Sequence, residues 1–213
     1  MPEDYPIRGS FLAPERAADY DRNHARTWGQ RFRNATELRL LRRVLAQLVP
    51  ADALLLDVPC GTGRHAGAYV EWGYRVVGLD VSPAMAGYAA ARPGLSAPGF
   101  RAAVGEVERL PLANDAVELA VSVRLLRHLP VDVRYDALAE LARVGRRGAL
   151  CDLLLREGAV SWVKRAREGA RYTARRPRLR EVRRELSARG LRIADHWTPR
   201  PWTQQRFVHV VQA

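Results

Sequence analysis

The stretch Leu54-Leu55-Leu56-Asp57-Val58-Pro59-Cys60-Gly61-Thr62-Gly63-Arg64-His65 constrains this chain more than any other. Its first half is an unbroken apolar run, the pattern of a central parallel strand buried on both faces. The run stops at a carboxylate, and two glycines flanking one residue lead into a helix expected from Gly63 to about Trp72. A strand that ends in a glycine turn and feeds a helix makes a ligand site at the carboxyl edge of a sheet. Gly61 and Gly63 can take backbone angles closed to other residues, and they let a ligand lie against the main chain. Asp57, just before this turn, would face that ligand with its charge. An ordinary strand-to-helix turn also needs glycine, but a second signal follows. Tyr74-Arg75-Val76-Val77-Gly78-Leu79-Asp80 is another apolar strand that ends in an acid. Asp57 to Asp80 has the length of one strand–helix–strand unit. In such units an acid about twenty residues past the glycines bonds the two hydroxyls of a ribose.

The rest of the composition narrows the setting. A chain of 213 residues fits one domain and can bury roughly 70% of its unfolded surface without a metal or disulfide staple. Cys60 and Cys151 are the two cysteines. They cannot complete a four-ligand zinc site unaided, so free thiols and no metal are expected. Met1-Pro2-Glu3-Asp4-Tyr5 has neither the basic nor the apolar region of a signal peptide, and no apolar run approaches the roughly 20 residues of a membrane span. The expectation is a cytoplasmic protein. The net charge is +12, yet of 35 basic residues only Lys164 is a lysine, so arginine use reads as a bias of the whole chain. The excess is uneven: 156–189 holds 12 basic and 4 acidic residues. Solvated arginine faces are the simpler reading; an anionic partner, a nucleic acid or a membrane surface, is the other.

Along the chain, residues 1–33 are polar and mixed. Tyr20, Trp28 and Phe32 are spaced so that one helical face could bury them, or they could form a lid over the glycine turn. Core packing is the expectation for any single one. Leu38, Leu41, Leu45 and Leu48 repeat at helical spacing and stop at Pro50. Ser82 fits an N-cap and Pro83 a first helical position, which predicts a helix to about Ala91. Strands are expected at Phe100–Val104, Ala116–Val123 and Ala149–Leu155, a loop at Gly105–Leu112, and a helix at Val131–Val144. Val160–Tyr172 and Arg178–Arg189 read as helices, and Leu191–Trp197 and Arg206–Val211 as closing strands. Strand and helix alternate five times before those closing strands. The expectation is therefore an α/β fold: a seven-stranded, mostly parallel sheet with helices on both faces and an antiparallel last strand. The chain reads as a single domain with an N-terminal part (1–35), a binding core (36–155), and a basic helical insertion with closing strands (156–213).

These pieces resemble the class I S-adenosylmethionine-dependent methyltransferases, a Rossmann-like family. Leu54–Gly63 looks like the family's first motif and Val77–Asp80 like its second. Gly105–Leu112 is similar to the G-D-A-x-x-L-P-F loop that cradles adenine. Leu119–Leu129 is similar to the fourth strand and the helix start that closes the methionine end. The resemblance covers about 36–155 well and the last 35 residues loosely.

It implies S-adenosylmethionine as cofactor and S-adenosylhomocysteine as product. Asp57 would orient the methionine ammonium, directly or through a water. Pro59, Cys60, Gly61 and Gly63 would pack against methionine and ribose. Asp80 would accept from the ribose hydroxyls, with Val81 along the adenine. Glu106 would accept from the adenine amino group, the Val107 amide would donate to the ring, and the Val123 carbonyl would meet the ammonium. Glu106 replaces the family's Asp, and Arg127-His128 stands where relatives often carry His-His. No dedicated catalytic residue is required, because the sulfonium already activates the methyl group. His128 could take a proton from a hydroxyl or amine, and Arg124 could hold an acidic group; a structural His and a solvated Arg are the plainer readings. A small-molecule acceptor methylated at O, N or C leads. RNA, tRNA, lipid or quinone methylation through the basic 156–189 segment follows. A nicotinamide-dependent oxidoreductase, which Gly61, Gly63 and Ala66 would also satisfy, or a non-enzymatic binder of the same cofactor, comes last. The acceptor and the oligomeric state stay open.

Overall fold

The structure, a computed structural model, describes residues 27–95, 98–156 and 176–213. Seven strands form one sheet: β1 (Leu54–Asp57), β2 (Arg75–Asp80), β3 (Phe100–Val104), β4 (Leu119–Ser122), β5 (Ala149–Leu154), β6 (Leu191–Trp197) and β7 (Gln205–Gln212). Their spatial order is β3-β2-β1-β4-β5-β7-β6. All neighbours from β3 to β5 pair in parallel, while β7 runs antiparallel to both β5 and β6. The expected sheet and its reversed last strand are both present. Order reverses between β1 and β4, so the carboxyl ends of these two strands flank a crevice, the usual ligand position in such sheets.

Five helices cover the faces: α1 (Trp28–Leu48), α2 (Arg64–Glu71), α3 (Pro83–Ala90), α4 (Val131–Val144) and α5 (Leu179–Ser187). Alternation along the strands separates two apolar clusters. Leu55, Val76, Leu119 and Leu150 pack under Leu41 and Leu45 of α1, Tyr69 of α2 and Ala89 of α3. Leu56, Leu79, Ala120 and Cys151 pack under Leu138 and Leu141 of α4 and Val182 and Leu186 of α5. Helices therefore lie on both faces, and each inner strand is apolar on both sides because both sides are covered.

Three expectations change. The helix anticipated from the leucine repeat begins at Trp28, ten residues before Leu38, so residues 28–35 are its first turns and not a separate segment. Thr27 and Gln30 form a reciprocal capping box, with Gln30 N–H donating to Thr27 Oγ1 at 3.3 Å and Thr27 N–H to Gln30 Oε1 at 3.0 Å. Trp28 and Phe32 are not core residues: they are 78% and 43% exposed and stack on each other at 5.9 Å. Helical spacing put them on one face, and here that face looks outward. β4 starts at Leu119 and not at Ala116. Tyr20, the helix expected at Val160–Tyr172, and with it most of the basic 156–189 segment, lie outside the described residues. Among the described residues no helix is long and apolar enough to cross a membrane, and no group of His, Cys, Asp and Glu is arranged to hold a metal ion.

Candidate functional site

A cavity of about 610 Å³ occupies the crevice at the carboxyl edge of the sheet. The glycine turn after β1 forms its floor. Gly61 has φ +51° and Gly63 φ +76°, a region that only glycine enters without strain. Their surroundings differ. A Cβ on Gly61 would meet nothing within 4 Å, and this residue lines the cavity. A Cβ on Gly63 would come within 2.6 Å of Leu95 and 3.2 Å of Ala89. Gly63 therefore serves the contact of α2 with α3 and is not among the residues that line the cavity. Cys60 does line the cavity, and its Cβ sits 2.8 Å from the Cβ position of Gly78, so a residue without a side chain is needed there on β2. Burial pushes the Cys60 thiol far up, which leaves it an uncharged packing group.

Asp80, at the end of β2, is held by the turn itself. Its Oδ2 accepts from the Gly61 N–H at 2.9 Å and its Oδ1 from the Ser82 N–H at 2.9 Å. Burial raises its pKa, and these two hydrogen bonds oppose the rise. Ser82 in turn caps α3, accepting from the Met85 N–H at 3.3 Å. The carboxylate is thus fixed in rotation at the cavity wall, next to Val81 and Met85.

Asp57 lies elsewhere. It is 1% exposed, sits behind the turn and does not line the cavity. The chain turns immediately after β1, so residues 58–62 make the wall and shield the strand's last side chain. Its Oδ2 has no hydrogen-bond partner. Burial first, and then the Asp80 charge, push its pKa up to about 8.

Of the other residues expected at a ligand, Pro59, Glu106, Val107 and Val123 all line the cavity. The loop Gly105–Leu112 is tied down from both ends. Gly105 N–H donates to the Asp80 carbonyl at 3.0 Å, and Leu110 N–H to Glu140 Oε2 at 3.0 Å. Arg143 clamps the far end through the Leu112 carbonyl at 2.9 Å and the Leu110 carbonyl at 3.3 Å, while Glu140 orients it at 2.7 and 2.8 Å.

The opposite end of the cavity, over β4, β5 and β7, is a buried polar node. Glu37 of α1 accepts from Arg124 at 2.8 Å and from Gln205 at 2.8 Å, and contacts His65 Nε2 at 3.2 Å. Arg124 also donates to Asn34 Oδ1 at 2.8 Å. Asp152 of β5 accepts from the Arg124 N–H, from Arg127 and, at 2.8 Å, from Gln205. Arg124 has φ +68°, and the bond from its N–H to Asp152 holds that backbone turn. These contacts, His65 and Arg124 foremost, hold the Glu37 carboxyl well below the usual range despite its burial. Burial lowers the His65 pKa, so its ring is neutral near pH 7. Arg124, expected either to hold a ligand's acid or to be solvated, instead holds an acid of its own chain. His128 lines the cavity.

Glu37, His65, Asp152 and Gln205 escaped the sequence reading. Asp152 had a signal: one carboxylate in an otherwise apolar strand needs a partner. Thr27-Trp28-Gly29-Gln30 had another, since T-x-x-Q marks a helix start that carries Glu37 to the cavity. Gln205 and His65 had none.

Residues 55–148 match the family model described as the methyltransferase domain. Over 99 residues the chain is 35% identical to the malonyl-[acyl-carrier protein] O-methyltransferase of Serratia marcescens, covering 45% of this chain and 35% of that enzyme. An uncharacterized methyltransferase of Mycobacterium leprae is 34% identical over 103 residues, 47% of this chain and 36% of its own length. The chain thus spans little more than a third of either relative. Among solved structures, magnesium protoporphyrin IX methyltransferase of Synechocystis PCC 6803 with bound SAH superposes with a TM-score of 0.74 at 18% identity, over 97% of this chain and 98% of that one. A TehB-like SAM-dependent methyltransferase of Corynebacterium glutamicum gives 0.61 at 22% identity, over 94% and 100%. Residues 55–148 are thus similar to a methyltransferase domain, and the fold is that of the class I S-adenosylmethionine-dependent methyltransferases.

Proposed function

We propose that this chain transfers a methyl group from S-adenosylmethionine to a small-molecule acceptor at an O, N or C nucleophile. The observation that carries the reading is Asp80. Each of its oxygens spends one acceptor position on a backbone amide and keeps a second, which suits the paired hydroxyls of a ribose. Two further features support the fit. The open space beside Gly61 lets a ligand lie against the main chain. The orphaned Asp57 Oδ2, buried just behind the wall, favours a cation nearby and suits a ligand with an ammonium group. In this reading Pro59, Cys60 and Gly61 contact the methionine and ribose. Val81 and Val107 flank the adenine, Glu106 accepts from its amino group, and Val123 closes the methionine end.

When bound, the cofactor supplies a methyl group made electrophilic by its sulfonium. The chain's own part is to position the acceptor in line and to keep water out. His128, on the wall, is the group proposed to receive a proton where the nucleophile is a hydroxyl or an amine. Arg124 acts as a positioning residue for the wall, since Glu37, Asn34 and Asp152 already engage it.

Calorimetry with S-adenosylhomocysteine tests the reading. One-to-one binding is expected, lost in Asp80→Ala. No heat at high micromolar ligand, with a folded protein, would overturn it.

A further inference from the structure

The cavity has an excess of arginine at one end. Asp80, Glu106 and Glu108 line the end over β1–β3 together with Arg64; Arg33, Arg124, Arg127 and Arg200 line the end over β4–β7 together with Glu37. Two of those four guanidiniums are neutralised within the chain, Arg124 by Glu37 and Arg127 by Asp152. Arg33 and Arg200 are not: among the described residues no carboxylate lies within ion-pair distance of either. The Nε of Arg200 is buried and has no hydrogen-bond partner. The two arginines also feel one another: burial and then the Arg33 charge lower the proton affinity of Arg200, while the Glu37 charge opposes them. Arg33 is exposed and Arg200 half-buried, and like charges brought to one wall are unfavourable unless an anion offsets them.

We propose that Arg33 and Arg200 form the acceptor-binding subsite, and that they hold a carboxylate or phosphate group of an anionic small-molecule acceptor. The inference rests on the methyltransferase reading above only in calling the bound molecule the acceptor. Guanidinium pairs suit such oxyanions because their planar forks donate two parallel hydrogen bonds.

The test titrates the full chain with phenylacetate, phenyl phosphate and neutral phenylacetamide, each with and without saturating S-adenosylhomocysteine. The acid or the phosphate is expected to bind roughly tenfold or more tightly than the amide, a ratio that shrinks with added salt. The stronger of the two tells carboxylate from phosphate. Arg33→Gln and Arg200→Gln are each expected to remove most of the preference while leaving S-adenosylhomocysteine affinity unchanged. Equal binding of acid and amide, no binding of any probe, or a preference that survives both substitutions would overturn the proposal. A flat S-adenosylhomocysteine titration beside a normal anion preference would instead remove the cofactor reading and leave the anion site standing.

Discussion

At the scale of single residues, the most informative group is Asp57. An acid whose folded pKa is raised binds its proton more tightly in the native state than in the unfolded chain. Stability then falls as pH rises from the unfolded value near 4 through the folded value of about 8. His65 is shifted the other way: its folded pKa lies below 6.5, so its contribution is lost only as pH falls under that value. Between about pH 7 and pH 8 the Asp57 effect should therefore dominate, below the range where the two buried cysteines, whose pKa values burial also raises, add to it. The melting temperature of the protein is expected to fall over this window, and to fall much less in Asp57→Asn. A ligand ammonium beside the wall would favour the charged carboxylate, so saturating S-adenosylhomocysteine should also flatten the dependence in the wild type. If the ligand leaves the slope untouched, Asp57 is a structural acid without a part in binding.

At the scale of elements, what positions the site is a set of tethers between loops and helices. The turn after β1 is held by Asp80 of β2, and the loop after β3 by Glu140 and Arg143 of α4. Removing Glu140 leaves the Leu110 N–H without its acceptor and takes the carboxylate from Arg143, which keeps its bonds to the Leu110 and Leu112 carbonyls. Glu140→Ala is expected to cost about 1–2 kcal/mol of stability, read from denaturant unfolding. It should weaken S-adenosylhomocysteine binding several-fold, with hydrogen exchange rising in residues 105–112 and unchanged in β1 and β4. The strands and the local turns were legible in the sequence because their causes are local. An apolar run ending in Asp, a G-x-G, and Ser82-Pro83 each act over a few residues. The tether from Glu140 to Leu110 spans 30 positions and looks, in sequence, like any surface Glu on an amphipathic helix. Likewise the spacing of Trp28 and Phe32 fixed their shared face but not what would cover it.

At the scale of the whole molecule, one buried node joins chain segments far apart in sequence. Glu37 near the start of the described chain meets Gln205 near its end, 168 positions away, and Arg124 87 positions away; Asp152 closes the ring through Gln205, Arg124 and Arg127. No local pattern could reveal the node as a whole: Asp152 stands out in its apolar strand, but its partners Glu37, Arg124 and Gln205 each read as solvated polar residues. Its physical consequence is a pH dependence opposite to that of Asp57. The Glu37 carboxyl is depressed below its ordinary value of 4.5 by His65, Arg124 and Gln205. Its stabilisation is therefore complete above that value and lost as pH falls below it. Glu37→Ala leaves Arg124 and Gln205 facing a buried vacancy, and truncating one member of a buried ion pair costs about 3–5 kcal/mol. Glu37→Gln keeps the shape and some of the hydrogen bonds, so it should cost less. It should also make acid unfolding shallower than in the wild type, because the group whose protonation drives part of it is gone. Urea unfolding of the three proteins at neutral pH and near pH 4 decides the matter. A Glu37→Gln variant that loses as much stability on acidification as the wild type would mean that Glu37 holds the two ends of the chain by packing alone, and that its charge is there for what enters the cavity.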